Sequence, residues 1–195
     1  MPSLHHVVTF SLVSLSLVGC ASAPDVQEEE GTSEDALSSS SCASSLAAGA
    51  VNAKTKAMLN TIAWSEGTAG SCGNDGYSTG FNFNCFSSCA KHPNKKWTAG
   101  GYTSSASGRY QFLSTTWSGL GMSSFSPRNQ DLGGSRLISN RGVTLPSTRA
   151  LTATEFSNAM KKLSKEWASL PFSPYGQPTK TLSQTRAKYC NFAGC

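Results

Sequence analysis

The first lysine or arginine in this 195-residue chain is Lys54. All sixteen basic residues lie between it and Lys188. Six of the eleven acids, Asp25, Glu28, Glu29, Glu30, Glu34 and Asp35, crowd into one stretch ahead of it. The net charge of +5 is therefore a cancellation. From residue 42 onward sixteen bases face only Glu66, Asp75, Asp131, Glu155 and Glu166, a balance of +11, and the stretch before carries −6. Residues 21–52 are acidic and then Ser/Ala-rich (EDALSSSSCASSLAAGA). Such a segment buries too little apolar surface to offset its chain entropy and is expected to be a flexible tether. The four Trp, nine Phe and five Tyr of the chain need burial, which places a folded domain at residues 53–195.

Residues 7–19 (VVTFSLVSLSLVG) form an apolar run of thirteen. That is short for a bilayer span and suits a signal-peptide core, although MPSLHH before it lacks the usual positive charge. The run ends Leu17-Val18-Gly19-Cys20. This is similar to a bacterial lipobox, in which the Cys becomes the lipidated first residue. Residues 1–20 thus read as a signal peptide, and a membrane-anchored lipoprotein of the periplasm or cell surface is expected. Ordinary cleavage after Ala21-Ser22-Ala23, giving a secreted protein, is the alternative. No later apolar run approaches the ~20 residues of a helical span.

Seven cysteines are an awkward number for an exported chain. With lipid on Cys20, six remain: Cys42, Cys72, Cys85, Cys89, Cys190 and Cys195. Three disulfides in an oxidising compartment are expected, with their connectivity open. They would suit the Gly/Ser/Asn-rich segment 67–108, which has few large apolar anchors. A zinc site is the rival, because Cys85-x3-Cys89 with His92 has a permissible spacing. It lacks a second close Cys/His pair, so no metal and no cofactor are expected.

Met58, Leu59, Ile62 and Ala63 recur at helical spacing from residue 53, and Gly67 supplies a stop. Residues 68–108 predict a small, irregular strand-and-turn lobe. Helical pattern returns over Tyr110–Leu120. Ser126-Pro127 opens a helix that is expected to end at Gly142. Thr152 and Glu155 form a capping box ahead of Phe156, Met160, Leu163 and Trp167 on one face. A last helix is expected near 179–190. The fold class is α+β, mainly helical with a small β/loop lobe.

Glu66 lies four residues after Ile62 and seven after Leu59, so it projects on the apolar face of its helix, at the edge of the irregular lobe. Burial there disfavours the carboxylate and raises its pKa. A carboxylic acid kept neutral near pH 7 can protonate a leaving oxygen. The plainer reading is an exposed or ion-paired Glu at a fraying helix end.

The surrounding motifs narrow the choice. MLNTIAWSEGT spans residues 58–68, followed by Gly76-Tyr77, His92-Pro93 and Ser107-Gly108-Arg109-Tyr110-Gln111. Phe125-Ser126-Pro127 with Gln130-Asp131, Trp167-Ala168-Ser169-Leu170-Pro171 and Tyr175-Gly176-Gln177 come next. In this order they resemble the phage lambda-type endolysins over roughly residues 54–188.

The resemblance implies a lysozyme-like fold and cleavage of the β-1,4 bond between N-acetylmuramic acid and N-acetylglucosamine in peptidoglycan. It implies a lytic transglycosylase that leaves 1,6-anhydro-muramic ends, with Glu66 as acid and base. A hydrolytic muramidase on the same scaffold is the alternative, and a non-catalytic wall-binding lipoprotein a further one. Hydrolysis ordinarily uses a second carboxylate. Asp75, the nearest in sequence, reads as a turn residue. Residues 107–111 look like the family's second cleft wall, with Gln111 bonding sugar groups through its amide and Tyr110 offering an aromatic face or serving as core. Tyr77, Tyr175 and Gln177 are counted with the cleft. Trp167 and Leu170 are expected in the core, Phe125–Asp131 in a cap and packing unit, and His92 in a loop.

One segment departs from the family pattern. Where that pattern has an Asp and an apolar, glycine-containing strand, this chain has Ser78-Thr79-Gly80-Phe81-Asn82-Phe83-Asn84, with Cys85 and Cys89 added. The lobe is expected to be rebuilt and stapled, with subsites of its own. A +11 domain is drawn to polyanions. Its bases are scattered and form no nucleic-acid-binding signature, so the expected partners are glycan strands and anionic wall polymers, bound by a monomer.

Overall fold

The structure is a computed structural model that describes residues 40–195. The signal-like run, Cys20 and the acidic stretch lie outside the described residues. Helix α1 (Ala53–Glu66) starts at Asn52, whose Oδ1 accepts the Thr55 N–H at 2.9 Å. It stops at Gly67, which takes the left-handed conformation (φ +77°) and returns its N–H to the last turn. Met58, Leu59, Ile62 and Ala63 are fully buried. Helices α2 (Ser114–Leu120), α3 (Pro127–Asn140), α4 (Ala153–Leu163) and α5 (Leu182–Ala193) complete the body. α1 packs most extensively on α5 and also on α3, while α5 in turn meets α4.

The capping signals act as their chemistry dictates. Ser126 Oγ accepts the Asn129 N–H, with Pro127 at the first helical position. Thr152 and Glu155 form the reciprocal capping box, and Phe156, Met160 and Leu163 behind it are fully buried. Trp167 and Leu170 are also buried, beyond the end of α4.

Between α1 and α2 lies the small lobe. Its only regular sheet among the described residues is a hairpin, β1 (Trp97–Ala99) and β2 (Tyr102–Ser104), paired antiparallel with Trp97 opposite Ser104. The rest is turns. Two disulfides staple it: Cys72–Cys85 within the lobe, and Cys42–Cys89 from the N-terminal segment. Cys190–Cys195 closes the C terminus. The six cysteines thus pair as three bridges, and Cys85 and Cys89, bonded to different partners, are unavailable as thiolate ligands.

Three boundaries differ from the sequence reading. Helical pattern over Tyr110–Leu120 yields a helix only from Ser114. Gly108 and Gln111 have positive φ (77° and 50°), and Ser107 and Phe112 exchange both backbone hydrogen bonds (3.0 and 2.8 Å), so a tight turn occupies the first residues. The last helix is displaced toward the C terminus, because the capping box of Thr181 with Gln184 starts it and Gly194 ends it. The tether expected over 21–52 is docked in its last part. Cys42 is buried in its bridge, the Cys89 N–H donates to Ser40 O at 2.8 Å, and the helical turn Ser44–Ala47 packs on α3.

Candidate active site

Glu66 is the last residue of α1 and is half-buried where the body meets the lobe. Ser169 Oγ donates to Glu66 Oε1 at 2.6 Å. Burial pushes the Glu66 carboxyl up from its ordinary 4.5 to about 7, against the smaller opposing effect of the Ser169 hydrogen bonds. A group poised near neutrality is protonated often enough to act as an acid and ionised often enough to act as a base.

Ser169 is itself held in place. It lies between two buried anchors, Trp167 and Leu170, and Trp167 Nε1–H donates to Tyr110 O at 3.0 Å. The Lys180 N–H closes the loop 169–180 by donating to Ser169 O at 3.2 Å. The loop that carries Tyr175 and Gln177 is therefore rooted beside Glu66. Both residues are exposed, and Tyr175 O–H donates to Lys165 O. No spacing argument reaches Ser169, which is 103 residues from Glu66.

The other expected cleft residues need correction as direct contacts. Tyr77, Ser107, Arg109 and Tyr110 are buried, each 3% exposed or less. Tyr77 and Tyr110 point their hydroxyls at Asp131 Oδ1 (2.8 and 2.6 Å), and Lys56 Nζ reaches Asp131 Oδ2 at 2.6 Å. Burial, reinforced by the Asp131 charge, holds both phenols well above their ordinary pKa. Ser107 Oγ–H is spent on Ser105 O. Arg109 pairs with Asp75 Oδ1 at 2.5 Å, donates to Asp75 O and reaches Asn60 Oδ1 at 3.1 Å. These side chains bolt the lobe to α1 and α3.

Gly108 serves the same joint. A Cβ there would lie 2.3 Å from Gln130 Oε1, which accepts the Arg109 N–H at 2.9 Å. Of residues 107–111 only Gln111 keeps solvent access. Its Nε2 donates to Thr79 O and Gly108 O, so Oε1 is left to accept from a ligand.

Asp75 is a turn residue (φ +59°) that also accepts the Gly70 N–H. His92 packs edge-on against Phe125 (4.8 Å between centroids) and shares a hydrogen bond with Phe112 O. Burial pushes its imidazole below the ordinary value. It lines a separate open groove of about 600 Å³ with Trp117 and Met122, and Glu66 is not part of that lining.

Phe83, one residue of the segment that departs from the family pattern, stands beside Gly67, the residue that follows Glu66. It is 56% exposed, and a Cβ built on Gly67 would lie 3.3 Å from its Cζ.

A family profile described as Endolysin matches residues 56–195. The endolysin of Escherichia phage lambda is 34% identical over 152 residues, covering 74% of this chain and 94% of that protein. The endolysin of Escherichia phage P2 is 34% identical over 145 residues, covering 66% and 86%. Among solved structures, bacteriophage lambda lysozyme complexed with a chitohexasaccharide matches with a TM-score of 0.66 at 33% identity, over 73% of this chain and 95% of that one.

Proposed function

The chain belongs to the endolysin family and has a lysozyme-like α+β fold; on that premise we propose that it cleaves peptidoglycan glycan strands between N-acetylmuramic acid and N-acetylglucosamine, as a lytic transglycosylase. Glu66 in its protonated form gives its proton to the glycosidic oxygen as the C1–O bond breaks. The muramic C6 hydroxyl then attacks C1, and the Glu66 carboxylate takes that hydroxyl proton. One carboxyl completes the cycle and leaves a 1,6-anhydro end.

The observation that carries this reading is the state of the acids. Glu66 is a half-buried carboxyl poised near neutrality, and the other four carboxylates of residues 40–195 are each engaged by a cation. Asp131 lies under Lys56, Asp75 on Arg109, Glu166 on Arg141 and Glu155 on Arg149. A second carboxylate free to activate water or to serve as nucleophile is what hydrolysis ordinarily requires. Gln111 Oε1, with Tyr175 and Gln177 on the loop rooted at Ser169, is suited to bind the sugars' N-acetyl and hydroxyl groups.

Residues 1–20 export the protein, with Cys20 as lipid anchor, and the basic domain adds attraction to anionic wall polymers. Palmitate labelling that is lost in Cys20→Ala supports the anchor, and labelling that never appears or persists opposes it. Mass spectrometry of digested muropeptides tests the chemistry: anhydro-muramic ends support the transglycosylase, and reducing muramic ends alone replace it with a hydrolase. Intact wall after prolonged digestion replaces both with a binding protein.

A further inference from the structure

Phe83 unites three features. Its ring is more than half exposed. Its backbone is left-handed (φ +59°), following Asn82 in the same region (φ +55°). Asn tolerates that conformation through its short polar side chain, whereas a bulky residue there is an outlier that persists only when the surroundings enforce it. Its ring edge lies against Gly67, the residue that follows Glu66.

The surroundings do enforce it. Cys72–Cys85 ties the turn after α1 to a residue two beyond Phe83. The Gly80 N–H donates to Asn84 O (2.6 Å), the Phe81 N–H to Ala106 O (2.8 Å) and Asn84 Nδ2 to Phe81 O (2.8 Å). A loop held by a disulfide and three hydrogen bonds therefore presents a flat apolar ring to solvent beside Gly67, one residue after the candidate acid.

From this geometry, and resting on the reading of Glu66 given above, we propose that Phe83 is the wall of a sugar subsite next to Glu66, where it stacks on the C–H face of one pyranose of the bound glycan and sets glycan preference. The bond cleaved at Glu66 joins two sugars, and a ring that touches Gly67 is within reach of one of them. A pyranose carries hydroxyls around its rim and a patch of C–H groups on its face, so an aromatic wall covers that patch while the rim bonds elsewhere. The φ held at Phe83 fixes where the ring stands before a ligand arrives, so little ordering is left to be done on binding.

The test uses the full chain with Glu66→Gln, so that ligand is not consumed, and chitohexaose as probe in isothermal titration. Phe83→Gly is expected to weaken binding roughly tenfold, the effect of truncating one central aromatic contact. Phe83→Trp, which keeps a flat ring, is expected to bind within about twofold of its parent. The melting temperature of Phe83→Gly is expected to stay level or rise, since glycine adopts this φ freely. A structural role for Phe83 predicts the opposite, a lower melting temperature with unchanged affinity. If Phe83→Gly proves poorly folded, Phe83→Leu keeps apolar bulk without a face and is expected to weaken binding similarly.

Unchanged affinity in both Phe83→Gly and Phe83→Leu overturns the proposal. If that happens while the wild type digests peptidoglycan and Glu66→Gln does not, the reading of Glu66 stands and the Phe83 wall alone is wrong. A parent that binds no chitohexaose, in a protein that digests no wall, overturns both.

Discussion

The helical body and the small lobe are held together by different forces. In the body, α1 buries Met58, Leu59, Ile62 and Ala63 completely, in one core with Phe156, Met160, Leu163 and Tyr189. Such a core draws its stability from apolar area removed from water, at about 25 cal/mol per Å². The lobe has little of this. Residues 70–105 contribute Tyr77, Cys89 and Trp97 to the buried apolar set, and shape comes from two disulfides, from positive-φ turns and from hydrogen bonds. Glu66 belongs to the first region by its helix and to the second by its exposure. The body fixes where Glu66 stands, at the end of α1 and the edge of the lobe.

The joint between the regions is the most vulnerable point. Asp131, fully buried on α3, accepts from Lys56 of α1, Tyr77 of the lobe and Tyr110 of the connecting turn. Replacing it with Ala strands an ammonium and two phenols, and is expected to cost about 3–5 kcal/mol. Urea unfolding checks this, and a loss near zero would mean that the two regions do not depend on the network.

Removal of Cys72–Cys85 by paired Ser substitutions is expected to cost about 3 kcal/mol in the chain-entropy description. The loss should be local. Amide exchange is expected to accelerate across residues 71–99 while α1 and α5 stay protected. Equal acceleration in both regions would break the distinction drawn between them.

A subtler effect concerns the charge state at the boundary. Burial raises the Glu66 carboxyl in the folded protein to about 7 from an ordinary 4.5. Between those values the folded chain holds a proton that the unfolded chain has lost, so stability falls as pH rises through this window and levels off above it. Glu66→Gln is therefore expected to be more stable than wild type by about 1–3 kcal/mol at pH 8, with no difference below pH 4.5, the figure being discounted for partial exposure. Chemical unfolding of both proteins at several pH values measures the gap.

The smallest effect is a change in pH profile. Activity is expected to fall as pH rises through about 7, where Glu66 loses the proton that the proposed mechanism has it donate. The Ser169 hydrogen bond favours the carboxylate, so Ser169→Ala should move this limb to higher pH. An unmoved limb would leave Ser169 without a role in tuning Glu66.

How far the sequence could be read follows the same division. Helix α1, its Gly67 stop and the inward face of Glu66 were legible because apolar periodicity and capping are local signals. The cap at Ser126 and the capping box at Thr152 were legible for the same reason. Tyr110 misled: its spacing suits a helix, but Gly108 and Gln111 turn the backbone and send the ring into the core beside Asp131. Ser169 lies in a legible motif, but its role is not legible, since only the tertiary fold brings it to Glu66. Phe83 is legible only as part of a departing segment, because no periodicity reports its left-handed φ or its place beside Gly67. The disulfide count was readable from parity and the pairing was not, because connectivity is a property of the folded chain.

The central claim is that one carboxyl, Glu66, cleaves glycan strands with the substrate's own C6 hydroxyl as nucleophile. Digestion of purified peptidoglycan by the wild type and by Glu66→Gln, read by mass spectrometry of the released muropeptides, tests it most directly. The account predicts anhydro-muramic products from the wild type, and release slowed by about 10²–10⁴-fold in Glu66→Gln, the range for loss of a general acid-base. Muropeptides with reducing ends only, or a Glu66→Gln protein as active as the wild type, would contradict it.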